Sequence, residues 1–89
     1  MMYSYLTFDD ETLVTHSELR QRDGQDYVEV HFERPVDGGF SSARCELPSY
    51  KWLFNEGYSE KEISFFETFL EHNAHTIFKY SKCGGVQIA

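Results

Sequence analysis

The sequence predicts an α+β domain in which a four-stranded antiparallel sheet (ββββ) is followed by a short helix and one long amphipathic helix packed on one sheet face. Two observations carry this prediction. Segments of the first half alternate apolar and polar residues, as half-buried strands do. The second half repeats apolar residues at helical spacing behind a recognisable helix start.

The first two strands are predicted from two β-prone runs on either side of an acidic turn. Residues 3–8 are mixed apolar, and residues 12–19 are rich in β-branched side chains. The acidic tripeptide between them, Asp9-Asp10-Glu11, is interpreted as a hairpin turn.

The third and fourth strands show the clearest alternation. Residues 27–33 follow the turn dipeptide Asp23-Gly24, and residues 40–47 follow a predicted loop that contains Pro35 and Gly38-Gly39. Pro48 is expected to end the fourth strand because it lacks a backbone donor. The positions predicted to face the core are Val28, Val30, Phe32, Ala43, Cys45 and Leu47, and those predicted to face water are Glu29, His31, Glu33, Ser42, Arg44 and Glu46.

Residues 49–83 are predicted to be helical, with a short helical turn over 49–55 that carries several aromatic residues. The long helix begins after Ser59, because Ser59 at the N-cap and Glu62 at the third helical position form a capping box. Its apolar stripe is Ile63, Phe66, Leu70, Ala74 and Ile77. Gly84-Gly85 is the expected C-cap, and the tail 84–89 is predicted either to fray or to form a small edge strand.

Length and charge restrict the classes of protein that this chain can belong to. Eighty-nine residues suit a single domain over 1–89. The formal net charge of −7 argues against direct nucleic-acid binding, because few cations are present to neutralise phosphates. No stretch approaches the roughly 18–20 apolar residues of a membrane span, so no membrane association is expected. The start of the chain has no basic segment, so no secretory signal is expected either.

The two cysteines and the histidines offer little for catalysis, so we expect no enzyme and no cofactor. Two cysteines are too few for the disulfide framework of a small secreted domain, which favours a reduced, cytoplasmic protein. Cys45 alternates with core positions and has no evident base partner. His72 and His75 share a helix face and are weak candidates for metal ligands. A metal- or thiol-dependent enzyme using these residues is the third and least favoured hypothesis.

Two surfaces could bind a partner. The aromatic residues of the helical half outnumber what one sheet face can cover, and excess apolar surface on a small domain is typical of an interface. The predicted anchors are Trp52, Phe65, Phe69 and Phe78. The acidic residues concentrate in the first fifty positions, where ten acids meet four bases, and the candidates for an acidic surface are Asp9, Asp10, Glu11, Glu29 and Glu33.

Residues 27–80 resemble a family of small bacterial domains of unknown function that are encoded beside another small protein in toxin–antitoxin-like gene pairs. The resemblance lies in residues 28–32, residues 43–47, and the helix opening over 55–63. It implies a cytosolic, non-enzymatic accessory protein and supplies no catalytic residues.

The first functional hypothesis is therefore a protein-interaction module, with a protein partner or a second copy of itself, that binds through the aromatic helix face or an exposed sheet edge. The alternative is an acidic inhibitor or nucleic-acid mimic that occupies a basic groove.

Overall fold

Six strands and one helix account for residues 1–83, which are the residues that the computed structural model describes. The elements are β1 (Met2–Thr7), β2 (Leu13–Ser17), β3 (Arg20–Arg22), β4 (Gln25–Val36), β5 (Gly39–Leu47), β6 (Lys51–Glu56) and α1 (Glu60–Cys83). The sheet order is β1-β2-β4-β5-β6, with β3 paired to the start of β4, and every pairing is antiparallel. The prediction of an α+β domain with an antiparallel sheet under a C-terminal helix is confirmed.

The core lies between one sheet face and α1. The inward positions predicted for β4 and β5 are confirmed, because all six are fully buried. The prediction that Glu46 faces water is wrong, since Glu46 is only 8% exposed and bonds to Arg22 and Ser49. From the helix, Phe66, Leu70 and Ile77 complete the core. Phe66 stacks on Phe32 with 4.2 Å between ring centroids and 8° between ring planes. Phe32 belongs to β4, the central strand in the sheet order, so this aromatic stack lies at the middle of the sheet.

The predicted short helix over 49–55 is wrong, and so is the count of four strands. Residues 51–56 form β6, which pairs along β5 and places Trp52 opposite the core residue Cys45. The spacing of apolar residues in so short a run does not distinguish a helix from a strand. Here residues 51–56 form a strand because they pair along the edge of β5. The short strand β3 was not predicted at all, since its polar sequence Arg-Gln-Arg has no alternation.

The predicted loop from Pro35 to Gly39 is also wrong in extent. β4 continues through Pro35 to Val36, and Gly39 already belongs to β5. The partner strand β2 pairs with β4 only as far as Glu33, so Pro35 has a strand neighbour on one side alone. A proline without an N–H donor is tolerated where its nitrogen faces an open edge.

The helix start agrees with the predicted capping box. Ser59 Oγ accepts a hydrogen bond from the Glu62 backbone N–H at 3.2 Å, and Glu62 Oε1 accepts one from the Ser59 N–H at 3.1 Å. Tyr58, just before the cap, packs edge-to-face against Phe66. The Gly84-Gly85 cap and the tail 84–89 lie outside the described residues.

A buried polar contact anchors the other end of α1. Ser81 Oγ donates to the Ile77 carbonyl at 2.8 Å, so it accepts a hydrogen bond from His16 Nδ1–H, 3.0 Å away. The same nitrogen lies 2.9 Å from the Ser17 carbonyl, and a carbonyl oxygen only accepts, so Nδ1 carries a hydrogen. The Leu19 N–H donates to the Ser81 carbonyl at 3.2 Å. The helix end is therefore tied to the strand that precedes β3.

Candidate functional site

An apolar groove lies where the turn between β1 and β2 meets the first turns of α1. The turn folds tightly, because the Phe8 carbonyl accepts from the Glu11 N–H at 2.9 Å and the Phe8 N–H donates to the Thr12 carbonyl at 2.8 Å. Asp10 Oδ1 accepts from the Thr12 N–H at 3.0 Å, and Glu11 adopts a left-handed backbone with φ of 73°. This arrangement directs the Phe8 ring toward the helix.

Phe8 joins the turn to the helix through aromatic contacts. Its ring centroid lies 5.5 Å from that of Phe65 and 5.0 Å from that of Phe69, both edge-to-face, and it is nearly parallel to Phe66. Edge-to-face pairs at these distances are favourable geometries for aromatic rings. Even with this contact, Phe65 remains 58% exposed.

The groove beside these rings has a volume of about 660 Å³. Its floor is apolar and its rim is charged. The floor consists of Leu6, Phe8, Phe65 and Phe66, and the rim carries Asp9, Asp10, Lys61 and Glu62. Concave apolar surfaces with a few convergent polar groups are the usual form of binding sites.

Arg34 of β4 links two carboxylates of the rim, Asp10 and Glu62. Its Nη1 donates to Glu62 at 2.7 Å and to Asp10 at 3.0 Å, and its guanidinium lies 5.1 Å from the centre of the Tyr58 ring. Hydrogen bonds from the Ser59 N–H and from Arg34 lower the pKa of Glu62. Burial alone would raise the pKa of Asp10, but hydrogen bonds from Thr12 and Arg34 outweigh it and lower that pKa. Both carboxylates are therefore held ionised beside the groove.

Two further rim charges have no such partner. Within residues 1–83, the side chains of Asp9 and Lys61 form no hydrogen bond and no ion pair. Both side chains are exposed. They are the rim charges that a ligand could engage without displacing an existing contact.

The other three predicted anchors lie closer to the core than Phe65. Trp52 and Phe69 are half-buried and pack around Phe32, and the Trp52 indole N–H donates to Glu67 at 2.9 Å. Phe78 is half-buried on the last turns of the helix and packs against the core. The structure therefore does not bring the four aromatic candidates together into one exposed patch.

The five acidic candidates are divided between two places. Asp9, Asp10 and Glu11 lie in the β1–β2 turn, whereas Glu29 and Glu33 lie on the outer sheet face. Glu29 accepts hydrogen bonds from Arg20 at 3.2 Å and from His31 at 2.9 Å. Glu33 accepts a long hydrogen bond of 3.5 Å from the Ser42 hydroxyl. The acidity is thus partly compensated by basic side chains.

Cys45 lies apart from the two histidines that were considered for catalysis. Cys45 is fully buried, and burial, with the nearby charges of Glu67 and Glu46, raises the pKa of its thiol to about 12. His72 and His75 are exposed on α1. Among residues 1–83, no group of three or more histidine, cysteine, aspartate or glutamate side chains is placed to hold a metal ion.

Two residues of the groove, Phe8 and Arg34, were not among the predicted site residues. Phe8 is the last apolar residue before the acidic turn, and Arg34 follows the alternating run of β4. Many folds have an apolar side chain next to a tight turn or a cation after a strand. The sequence therefore does not mark either residue as part of a site, and only their contacts with α1 do so.

The chain matches no protein-family model, and it matches neither a curated protein nor a solved structure. The resemblance to toxin–antitoxin-like accessory domains stays a prediction. Over residues 1–83, no helix combines the length and the apolar character needed to cross a membrane.

Proposed function

We propose that the protein is a non-enzymatic protein-interaction module that binds its partner through the groove between the β1–β2 turn and α1. The observation that carries this proposal is Phe65, an aromatic side chain 58% exposed at an apolar groove of about 660 Å³. Aromatic side chains next to a concave apolar surface are typical centres of protein interfaces. A partner that covers Phe65 would remove this apolar surface from water.

The chemistry of the rim indicates what the partner presents. We infer a segment with one apolar or aromatic side chain that enters the groove and a neighbouring lysine or arginine that reaches Asp9. The net charge of −7 on the whole chain favours approach of a basic partner, although salt weakens this attraction. A cytoplasmic accessory role beside a second small bacterial protein, as the family resemblance implies, agrees with this proposal.

The alternative of an acidic inhibitor or nucleic-acid mimic has less support. Such a mimic requires unpaired carboxylates in a row, whereas Arg34 and Arg20 already bond to Asp10 and Glu29. These ion pairs reduce the negative field that a basic groove would recognise.

The test is a selection of displayed random peptides on the purified, folded protein. We expect the enriched peptides to share an apolar or aromatic residue beside a lysine or arginine, and synthetic copies to bind the wild type in a fluorescence polarisation assay. Phe65→Ser removes the aromatic ring from the groove and should weaken binding about tenfold or more. Phe40→Ser is the matched control, because Phe40 is 65% exposed and does not line the groove.

Equal binding by the wild type and Phe65→Ser would contradict the proposal. Enrichment of peptides without basic residues would contradict the inferred partner chemistry, and Asp9→Asn measures that contribution separately. Loss of binding in Phe40→Ser alone would place the interface on another surface.

A further inference from the structure

Strand β6 forms one edge of the sheet. It pairs with β5 on one side, and no other strand of residues 1–83 lies along its second side. Its edge is rich in exposed apolar side chains, since Leu53 is 44% exposed and Phe54 40% exposed. An open strand edge carries unpaired N–H and C=O groups that can pair with another chain.

We propose that this edge pairs antiparallel with the same strand of a second copy, so that five strands from each copy form one continuous sheet across a two-fold axis. The axis passes between Leu53 and Phe54. It places Lys51 opposite Glu56 of the partner subunit and Trp52 opposite Asn55 of the partner subunit. This surface is separate from the groove at Phe65.

A β-bulge in β6 allows residues on the same face of the sheet to lie opposite each other in this register. Arg44 pairs with Phe54 and Cys45 pairs with Trp52, so Leu53 is an extra residue in β6. Side chains of a regular strand alternate between the two faces, and the extra residue shifts that alternation by one position.

The consequence appears in the residues on each side of the bulge. Lys51 and Glu56 are five positions apart, yet both lie on the outer face, opposite Glu46 and Ser42. Trp52 and Asn55 are three positions apart, yet both pair with residues of the core face. In a regular strand, residues an odd number of positions apart would lie on opposite faces.

The bulge therefore allows two copies of β6 to pair in this register. When two identical strands pair about the axis, the two bulges lie side by side, and each outer-face residue meets an outer-face residue. A regular strand can also pair in phase along β6, as β5 does, so the choice of a second copy rests on the charges of β6.

The charges at the two ends of β6 are complementary in this register. Lys51 and Glu56 are both exposed, and within the described chain neither side chain forms a hydrogen bond or an ion pair. The pairing brings each lysine opposite a glutamate twice in the dimer. Opposite charges directly across two strands are favourable, and like charges there are destabilising.

The test is sedimentation velocity over a range of protein concentrations, with a charge exchange. We expect a concentration-dependent dimer for the wild type. Lys51→Glu and Glu56→Lys each convert two attractive pairs into two repulsive pairs and should raise the dimer dissociation constant about tenfold or more. The double variant, Lys51→Glu with Glu56→Lys, restores opposite charges and should recover the dimer.

Lys79→Glu is the matched control, because it makes the same change of charge at an exposed position of α1 outside the groove and should leave the dimer unchanged. A monomer at every concentration overturns the proposal. So does a dimer that both single exchanges leave intact, or a double variant that stays as weak as the singles.

Phe65→Ser separates this inference from the proposed groove. A dimer lost in Phe65→Ser overturns pairing through β6, because that residue lies on the other surface. A dimer that persists in Phe65→Ser while peptide binding fails in the wild type supports β6 pairing and counts only against the groove.

Discussion

Phe66 and Phe65 are neighbours on α1 with opposite surroundings, so the same substitution at each should have very different effects on stability. Phe66 is 3% exposed and stacks on Phe32, whereas Phe65 is 58% exposed. A phenylalanine buries about 200 Å² in a core, which at about 25 cal/mol per Å² amounts to about 5 kcal/mol. Alanine retains part of that burial, so Phe66→Ala should cost about 3–5 kcal/mol.

That loss is large for a domain of this size. At about 0.05–0.15 kcal/mol per residue, the whole chain has about 4–13 kcal/mol of free energy of unfolding. Phe65→Ala loses mainly its edge contact with Phe8 and should cost less than about 1 kcal/mol. Phe66→Leu keeps an apolar side chain at the site and should cost about 1–2 kcal/mol, which keeps the comparison measurable if the alanine variant does not fold.

Urea unfolding followed by circular dichroism measures these differences. The expected order of the free energy of unfolding is wild type, then Phe65→Ala, then Phe66→Leu, with Phe66→Ala lowest. If Phe65→Ala cost as much as Phe66→Leu, Phe65 would contribute to the core, and its assignment to a binding surface would be refuted.

Three more predictions follow from local contacts. In a Cys83→Ser background, Cys45 should not react with Ellman's reagent at mildly alkaline pH and should react fully in guanidinium chloride, because its thiol pKa is raised to about 12. Ser59→Ala should lower the free energy of unfolding by about 1 kcal/mol in urea titrations, since it removes the acceptor for the Glu62 N–H. Hydrogen bonds from Arg20 and from the N-terminal ammonium lower the pKa of Glu18 from 4.5 to about 2, and the pKa of Glu62 is lowered as well. The stability that these carboxylates contribute is present above about pH 4.5 and is lost as the pH falls toward about 2, so the urea midpoint should drop between about pH 4.5 and about pH 3.

The sequence predicted correctly what depends on near neighbours along the chain. The capping box at Ser59 requires a glutamate three residues later, and the alternation of β4 repeats every second residue. Both patterns are visible without knowing any partner strand. Strand β6 depends instead on the open edge of β5, which is supplied by distant sequence, and its apolar run alone suits a helix equally well.

The candidate site was predicted in part for the same reason. Phe65 was identified because it lies beside the apolar stripe of the long helix. The groove around it needs Phe8 from the first hairpin and Arg34 from β4, and only the docking of α1 brings these residues together. A sequence pattern within one element could not indicate this contact.

The contacts at the far end of α1 have a consequence for how the chain folds. The helix is made after the six strands, yet it contacts β1 and β2 through hydrogen bonds of Tyr5 with Asn73 and of His16 with Ser81, pairs that lie 68 and 65 residues apart. Contacts of such long sequence separation form late, because a large loop must first be closed. During synthesis on the ribosome, the inner sheet face stays uncovered until the last residues of the helix emerge. In this interval the unfinished chain exposes Val30 and Phe32 to other proteins, and it is then most open to aggregation.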